Sequence, residues 1–284
     1  MENIRIVKSS EIKAAVKELF IKANHFLPDN VHTALDKANE NETTELAKSV
    51  LGRLSENINV AKQCGVPICQ DTGMAVVFAE IGKKVHVDGD NFDKAVNDGV
   101  REAYLEGKLR CSVVSDPFFD RKNTGDNTPA IIYTSFNEGD KIELTALPKG
   151  FGSENMSAVK MFTPSATRED IIGFVVDTVK KAGSNPCPPV VVGVGIGGSF
   201  DYSCVLSKKA LMRDLDDENP KAEYALLECE MLERINGLGI GPQGFGGKTT
   251  ALAVKIESYP THIAGLPVAV NICCHVARHM SLKI

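Results

Sequence analysis

The sequence predicts an α+β fold in which an N-terminal helical bundle precedes a mixed β-sheet with packed helices. Up to about residue 68, apolar residues recur at helical spacing. From about residue 74 onward, apolar β-prone runs alternate with helical patterns. No linker rich in Pro, Ser or charge interrupts the 284 residues. We therefore expect a single domain over 1–284, with the helical layer at about 1–68 and the mixed α and β part at about 69–284.

The N-terminal layer contains three predicted helices. In the first, apolar residues recur from Ile12 to Ala23, and Pro28 separates this helix from a shorter one at 31–38. A polar break follows, and a third helical pattern occupies 46–58. The apolar face of each helix is the reason for predicting a bundle.

The centre of the chain contains strands and one capped helix. A strand is predicted at 75–78, and Asn91 has the side chain of an N-cap for a helix at 92–103. Two apolar, β-prone runs at 130–136 and 141–147 are separated only by an Asn-Glu-Gly-Asp segment. This short, turn-forming segment predicts a β-hairpin.

The C-terminal half continues this alternation. Thr167 and Asp170 have the spacing of a capping box, which predicts a helix start. A strand is predicted at 190–194, followed by a helix at 220–236 that stops at Gly237. Two further strands are predicted at 251–256 and 268–272.

Composition and charge exclude several classes of partner. The formal net charge is -5, and Lys and Arg are scattered, so we expect no binding of nucleic acid or of an anionic membrane. The first residues lack the apolar stretch of a secretory signal, and no run approaches the ~18 apolar residues of a membrane span. We therefore expect a cytoplasmic protein.

The cysteines argue for metal binding and not for disulfides. Eight cysteines in a sequence without an export signal are typical of a protein in a reducing compartment. The sequence contains no Cys-x-x-Cys pair, which argues against a zinc ribbon and against a ferredoxin-type cluster. Cys69, Cys187 and Cys274 each lie in a predicted turn. Three thiolates can hold a cubane iron–sulfur cluster and leave one iron without a protein ligand. A lone cysteine is more often a small buried hydrophobe, and for Cys204 and Cys229 we expect that packing role.

Two glycine-rich stretches invite nucleotide interpretations. Gly193–Gly198 satisfies GxGxxG after a predicted strand, so a dinucleotide-binding oxidoreductase is an alternative function; close backbone packing explains the glycines better, because the motif begins late in the chain. Gly241–Thr250 resembles a phosphate loop, but Pro242 occupies the position of its first glycine and supplies no N–H. Lys248 in this stretch could instead reach an active site.

Five motifs together resemble the α subunit of class I iron–sulfur fumarate hydratase, and the related α subunit of L-tartrate dehydratase shares several of them. In chain order they are Cys69–Gly73 (CQDTG), Lys149–Asn155 (KGFGSEN), Asn185–Pro189 (NPCPP), Ile240–Gly244 (IGPQG) and Cys274–Arg278 (CHVAR). Phe151 departs from the family pattern, which has a third consecutive glycine there. The Ser153-Glu154-Asn155 tract favours the fumarase, and the tartrate enzyme is the alternative.

The resemblance implies a set of functional residues. Cys69, Cys187 and Cys274 would ligate a 4Fe-4S cluster whose open iron binds the hydroxyl and one carboxylate of malate, while Cys273 would pack. Asp71 and His262 would transfer or relay protons. The residues implied to contact the dicarboxylate substrate are Gln70, Arg110, Lys248 and the backbone N–H near Gly152.

The resemblance also implies a protein partner. Single-chain relatives continue well past the third cysteine, and that later region is expected to supply the catalytic base, whereas this sequence stops at Ile284. We therefore expect a separate β subunit that completes the site, in a hetero-oligomer in which the heterodimer is itself paired. A non-catalytic metal-binding scaffold subunit is a further alternative.

Overall fold

The computed structural model describes residues 4–284 and divides them into two compact units, each assembled from separate stretches of sequence. The first unit contains the described residues up to Pro28, together with Val60–Phe151 and Arg278–Ile284. The second contains Asp29–Asn59 and Gly152–Ala277. The predicted α+β class with N-terminal helices is confirmed, and the single domain over 1–284 stays a prediction.

The helices of the described chain agree with the sequence pattern in most places. They are α1 (Ser9–His25), α2 (Asp29–Asn41), α3 (Glu45–Cys64), α4 (Phe92–Glu106), α5 (Phe151–Glu154), α6 (Arg168–Ala182), α7 (Phe200–Ala210) and α8 (Ala222–Asn236). The three predicted N-terminal helices are α1, α2 and α3, and Pro28 lies between the first two. None of the helices within residues 4–284 is both long and apolar enough to cross a membrane.

Two predicted helix caps are confirmed at atomic level. Asn91 accepts a hydrogen bond from the backbone N of Lys94 at 2.7 Å and begins α4. At α6, Thr167 Oγ1 accepts from the N of Asp170 at 3.2 Å, and Asp170 Oδ2 accepts from the N of Thr167 at 2.8 Å. Each cap satisfies N–H groups that have no partner inside the first turn of the helix.

The strands form separate sheets in the two units. They are β1 (Arg5–Lys8), β2 (Met74–Gly82), β3 (Val85–Asp88), β4 (Ile131–Asn137), β5 (Ile142–Lys149), β6 (Ala158–Phe162), β7 (Val190–Gly198), β8 (Ala251–Thr261), β9 (Leu266–Cys273) and β10 (Met280–Lys283). In the first unit, β1 pairs with β3, and a second sheet has the order β10-β5-β2-β4. The sheet of the second unit has the order β6-β9-β7-β8.

The predicted hairpin of 130–136 with 141–147 is wrong, although both runs are strands. β2 lies between β4 and β5, and it pairs in parallel with β4 and antiparallel with β5. Residues 75–79 of β2 are all buried, so this strand needs a hydrogen-bonded neighbour on each edge. The chain passes from β4 to β5 around the end of β2, where Gly82 N donates to Lys141 O at 2.9 Å. A Cβ at Gly82 would lie 2.5 Å from the Gly139 carbonyl, so this crossing requires glycine.

The glycines of the GxGxxG stretch serve helix packing. Gly193 and Gly195 lie inside β7, and α7 crosses directly over them. A Cβ at Gly195 would come within 2.0 Å of the carbonyl oxygen of Ser203 in α7. The helix therefore approaches the strand more closely than any other residue would allow, which supports the packing interpretation of this motif.

Candidate functional site

The first cysteine motif forms a turn that leads into β2. Cys69 is partly exposed, and the carboxylate of Asp71 holds the turn together. Asp71 Oδ1 accepts from the N of Gly73 at 2.9 Å, and Oδ2 accepts from the N of Phe151 at 3.0 Å. Because Phe151 contributes its backbone N–H and its side chain is 46% exposed, its departure from the family pattern leaves this contact intact.

Buried polar groups support this turn from below. The Tyr104 hydroxyl lies 3.0 Å from Thr72 O and 2.8 Å from Gly73 O, and Asn127 Nδ2 donates to Gly73 O at 3.1 Å. Burial raises the pKa of Tyr104 far above its ordinary value, so this hydroxyl remains a donor. Sequence reasoning missed both side chains, since neither lies in a recognisable motif.

Arg278 is a third support, and it closes the last of the five motifs. It is only 3% exposed, and its Nη2 donates to the backbone carbonyl of Asp71. Among the described residues, Nε and Nη1 of this guanidinium meet no hydrogen-bond acceptor. The buried Arg278 guanidinium therefore places a positive charge next to the turn that contains Asp71. No carboxylate of the described residues pairs with its Nε or Nη1. Its place in the motif was the sequence signal that could have identified it.

Thr72 connects this turn to Arg110. The Thr72 side chain is buried, and its Oγ1 accepts from the N of Arg110 at 2.8 Å and donates to the O of Arg110 at 3.2 Å. The backbone of Arg110 is thereby fixed beside the cysteine turn, while its side chain and that of Gln70 are exposed. The structure thus brings the predicted residues Gln70, Asp71 and Arg110 together in the first unit.

The second and third cysteine motifs meet in the second unit. Cys187 is exposed, has φ of +55°, and donates its N–H to Ser184 O at 3.0 Å. His275, the residue after Cys274, lies against Cys187: its backbone N is 3.4 Å and its ring Nδ1 is 3.0 Å from the Cys187 carbonyl oxygen. A carbonyl only accepts, so Nδ1 carries the proton in this bond.

The fourth motif joins the same place. Gln243 donates from its backbone N and from its side-chain Nε2 to the carbonyl oxygen of Pro188, each at 2.7 Å. Cys273 is 5% exposed at the end of β9, as its predicted packing role requires, whereas the neighbouring Cys274 is partly exposed. Two predicted ligand cysteines therefore lie at one end of the sheet, where β9 ends and β7 begins.

Gly152 and Lys248, two of the residues predicted to contact substrate, both lie in the second unit. A Cβ at Gly152 would lie 3.7 Å from the carbonyl oxygen of Asn185, in the Cys187 motif. The side chain of Lys248 is exposed, and its backbone N donates to Glu42 Oε2 at 2.7 Å.

Glu42 fills the position that an anion would take in the glycine-rich loop. Its carboxylate is 3% exposed and accepts from the N of Thr43 at 2.8 Å, from the N of Thr44 at 3.3 Å and from Lys248. Burial alone would raise the pKa of Glu42, but these backbone donors outweigh it and the pKa lies below its ordinary value. Two N–H groups of the Gly241–Thr250 stretch, those of Lys248 and Thr249, therefore bind a side chain of the same unit and not a phosphate.

His262 lies far from the two cysteines of its own unit. It is exposed in the turn between β8 and β9, where its Nδ1 accepts from the N of Ala264 at 3.1 Å. β9 separates it from Cys274, and the eight residues of that strand span about 23 Å at ~3.3 Å per residue. A cleft of 480 Å³ adjoins His262 and is lined also by Tyr202 and Tyr259. The structure does not bring His262 to Cys187 or Cys274.

The tract that favours the fumarase has a structural contact. Glu154 Oε1 pairs with Lys208 Nζ at 2.5 Å, and Glu154 Oε2 accepts from Asn271 Nδ2 at 3.0 Å. Lys208 is almost completely buried. Glu154 therefore anchors α5 to α7 and β9, which is a role in holding the Gly152 loop and not in contacting a small ligand.

The cysteines outside the motifs follow their predicted role only in part. Cys204 lies in the middle of α7, and burial raises the pKa of its thiol. The packing role expected for Cys229 is wrong, because this residue is exposed on α8. Across residues 4–284, the structure gathers no group of three or more His, Cys, Asp and Glu side chains that could hold a metal ion. The ligand trio of Cys69, Cys187 and Cys274 stays a prediction.

Comparison with known proteins places these features in a family. The family model described as fumarate hydratase (Fumerase) matches residues 13–283. A Methanocaldococcus jannaschii protein, provisionally named L(+)-tartrate dehydratase subunit alpha, is 43% identical over 279 residues, covering 96% of this chain and 98% of the relative. Proteins named L(+)-tartrate dehydratase subunit alpha from Escherichia coli K12 and Shigella boydii are each 32% identical over 262 residues, covering 91% of this chain and 86% of the relative.

Proposed function

The chain belongs to the fumarate hydratase (Fumerase) family of hydro-lyases, and from that premise we propose that it is the α subunit of an enzyme that reversibly hydrates fumarate to L-malate. The observation that carries this proposal is the meeting of Cys187 with the Cys274-His275 motif at one end of the second sheet. This contact joins two loops far apart in sequence, and it places Cys187 beside the residue that directly follows Cys274, 87 positions further along the chain.

The chemistry of the donor set fits a 4Fe-4S cluster. Thiols are the ligands that such clusters use, and neither cysteine loop of the second unit, 184–189 or 273–277, contains a carboxylate. We assign Cys187 and Cys274 as two ligands and Cys69 as the third. When bound, the cluster would supply a Lewis-acidic iron for the hydroxyl that leaves malate.

The residues of the first unit are suited to bind and orient a dicarboxylate. Arg110 presents an exposed guanidinium on a backbone that Thr72 holds at both groups, and a guanidinium binds a carboxylate through paired N–H donors. The Gln70 amide can donate to the same substrate. Lys248 and the N–H near Gly152 are further donors for its second carboxylate.

Asp71 is positioned for proton transfer. Both of its carboxylate oxygens already accept one backbone N–H, which fixes the direction of the group. Each oxygen keeps a second lone pair that can take part in moving a proton to or from the departing hydroxyl. The backbone bonds therefore orient Asp71 without consuming its capacity to exchange a proton.

His262 requires a different arrangement. Because it lies at the opposite end of the sheet from Cys187 and Cys274, we propose that it serves the site of a second copy of the chain. Pairing of heterodimers would supply that copy. Its own Nδ1 accepts from Ala264, so the ring is held with Nε2 available for a substrate or for Asp71 of the other copy.

A separate β subunit is part of the proposal. The relatives with known names are called subunit alpha, which supports a partner chain. We expect that partner to contribute the base that removes the proton from the adjacent carbon. The purified, cluster-loaded chain alone should show little hydratase activity, and addition of the β subunit should restore it. Full turnover by the isolated chain would contradict this part of the proposal.

L(+)-tartrate dehydration is the second candidate, because the named relatives carry that activity in their names. The structural contact of Glu154 also weakens the sequence argument for fumarase, since Glu154 holds Lys208 and Asn271. The test is to compare kcat/KM of the α/β enzyme for L-malate, fumarate and L(+)-tartrate under anaerobic conditions. A higher kcat/KM for malate and fumarate supports our assignment, and a higher value for tartrate replaces it with the second candidate.

A further inference from the structure

Gln243 occupies a conformation that its residue type disfavours. Its φ is +53° and its ψ is 16°, in the left-handed region that non-glycine residues seldom adopt. It lies inside a short 3-10 turn, Pro242–Gly244, between two glycines that also have positive φ. Residues held in such a conformation persist when surrounding contacts require them, and they cluster at functional sites.

The contacts of Gln243 converge on one peptide group. Its backbone N and its Nε2 both donate to the Pro188 carbonyl oxygen at 2.7 Å, which fills both acceptor positions of that oxygen. Its Nε2 also lies 3.3 Å from His275 Nδ1. Since Nδ1 donates its proton to Cys187 O, the approach of these two nitrogens is a packing contact beside the two carbonyls.

These contacts fix the chain on the C-terminal side of Cys187. Gln243 holds the carbonyl of Pro188, and His275 holds the carbonyl of Cys187 itself. Cys187 also has a positive φ, of +55°. With the carbonyls of two consecutive residues held, rotation of the backbone on the C-terminal side of Cys187 is restricted, which constrains the direction of its Cα–Cβ bond.

We propose that Gln243 is a positioning residue that aims the Cys187 thiol toward Cys274 and so preorganises two of the donors of the metal centre. His275 also takes part, because it follows Cys274 directly in sequence and contacts the Cys187 carbonyl. We call the contacts of Gln243 and His275 with the Pro188 and Cys187 carbonyls the brace. This inference rests on the proposed function for the identity of the bound metal centre, but the brace itself is a property of the cluster-free chain.

The test uses two variants of Gln243 with different effects. Gln243→Gly removes the side chain, keeps the backbone N–H and accepts the left-handed backbone without strain. Gln243→Glu keeps the length and the backbone N–H bond, but it replaces the Nε2 donor with a carboxylate oxygen that faces the Pro188 carbonyl oxygen. Gln63→Glu, an exposed change on α3, is the matched control for the added charge.

The primary measurement is the rate at which dibromobimane cross-links Cys187 to Cys274 in the cluster-free full-length chain, with the linked peptides identified by mass spectrometry. We expect Gln243→Gly to slow this cross-link by about 3-fold to 10-fold, as the loss of one hydrogen bond predicts, and Gln243→Glu to slow it further. Gln63→Glu should match the wild type. Thermal unfolding of each variant shows whether a slower rate reflects global unfolding.

The second measurement is the iron and sulfide retained after anaerobic reconstitution, with the electron paramagnetic resonance signal of the reduced protein. Both variants of Gln243 should retain less iron than the wild type. If the wild type takes up no iron while the cross-link still depends on Gln243, the proposed function fails and the brace stands. If all variants cross-link and retain iron like the wild type, the brace is refuted and the proposed function stands.

Discussion

The hydroxyl of Thr72 holds Arg110 by both of its backbone groups, accepting from its N at 2.8 Å and donating to its O at 3.2 Å. The two residues are 38 positions apart in sequence. One small buried side chain thus fixes the backbone of the residue whose guanidinium is proposed to bind substrate, beside the turn that carries Gln70 and Asp71.

Replacing Thr72 with valine should weaken substrate binding. Thr72→Val keeps the shape but removes the hydroxyl, so the N and O of Arg110 lose their partner. We expect KM for malate to rise about 10-fold and the free energy of unfolding to fall by about 1–3 kcal/mol. Steady-state kinetics and urea unfolding measure the two effects. Thr72→Ser should retain most activity, and Thr134→Val, at an exposed position on β4, should change neither quantity. An unchanged KM in Thr72→Val would show that Arg110 does not depend on this contact.

Removing the buried charge of Arg278 should separate stability from affinity. Two of its guanidinium nitrogens have no hydrogen-bond acceptor in the described chain, so Arg278→Met should leave the free energy of unfolding unchanged or raise it. The same change removes a cation behind Asp71, and we expect KM for the dianionic substrate to rise by about 10-fold. Chemical unfolding and a kinetic series at low and high salt check this. Marked destabilisation by Arg278→Met would mean that the charge is paired in the folded protein.

Glu42 should make the second unit sensitive to acid. The folded-state pKa lies below the ordinary value of 4.5, so the stabilisation by this carboxylate is complete above about pH 4.5 and is lost as the pH falls through the lowered value. Glu42→Gln should therefore reduce the free energy of unfolding by about 1–3 kcal/mol at pH 7, and the difference from wild type should shrink at acid pH. Urea unfolding at several pH values tests this, with exposed Glu40→Gln as the control. If the stability difference between wild type and Glu42→Gln grew as the pH fell, the pKa of Glu42 in the folded protein would be raised and not lowered.

The cysteines should divide into two classes by their effect on iron. Replacing a ligand cysteine with serine should lower both the iron content and the turnover, and this applies to Cys69→Ser, Cys187→Ser and Cys274→Ser. Loss of a residue that only supports a metal ligand typically costs about 10-fold to 100-fold, and we expect a larger loss for the ligands themselves. Cys229→Ser, on an exposed face of α8, should change neither. Iron analysis after anaerobic reconstitution and the malate assay supply the measurements. Wild-type iron content in a serine variant of the trio would remove that residue from the ligand set.

His262 should act on a site in another copy of the chain. Assemblies that contain only His262→Asn chains, or only Cys187→Ser chains, should be inactive. When the two variants are co-expressed with different tags and purified through both, each mixed pair has one intact site, so about half of the wild-type activity should return. If both residues serve the site of their own chain, the mixed assemblies will be as inactive as the parents.

Local signals predicted most of the fold. The apolar spacing around Ile12 and the caps at Asn91 and Thr167 are signals within a single helical turn, and the structure contains each one. The pairing of β4 with β2 is a long-range choice, and nothing in the two adjacent β-prone runs records that a third strand separates them. Pairing depends on which strand must be buried on both edges, and that is decided by the whole sheet.

The candidate site follows the same division. Its motifs identified Asp71 and Cys187 because special residues are concentrated there, with prolines beside one and a glycine after the other. Tyr104 and Asn127 support the turn from an ordinary helix and an ordinary loop, so only the folded chain reveals them. The distance of His262 from Cys274 could have been anticipated, because the eight residues of a strand lie between them.

The edge strand β10 follows every strand of the second unit in sequence, yet it belongs to the sheet of the first unit, where it pairs with β5. During synthesis, the sheet of the first unit must therefore wait, with β5 unpaired on one side, until every strand of the second unit has left the ribosome. An exposed strand edge of that kind invites association with other nascent chains. Efficient production of this chain should accordingly depend on chaperones that shield β5, and slowing translation near the C-terminus should increase aggregation and not folding yield.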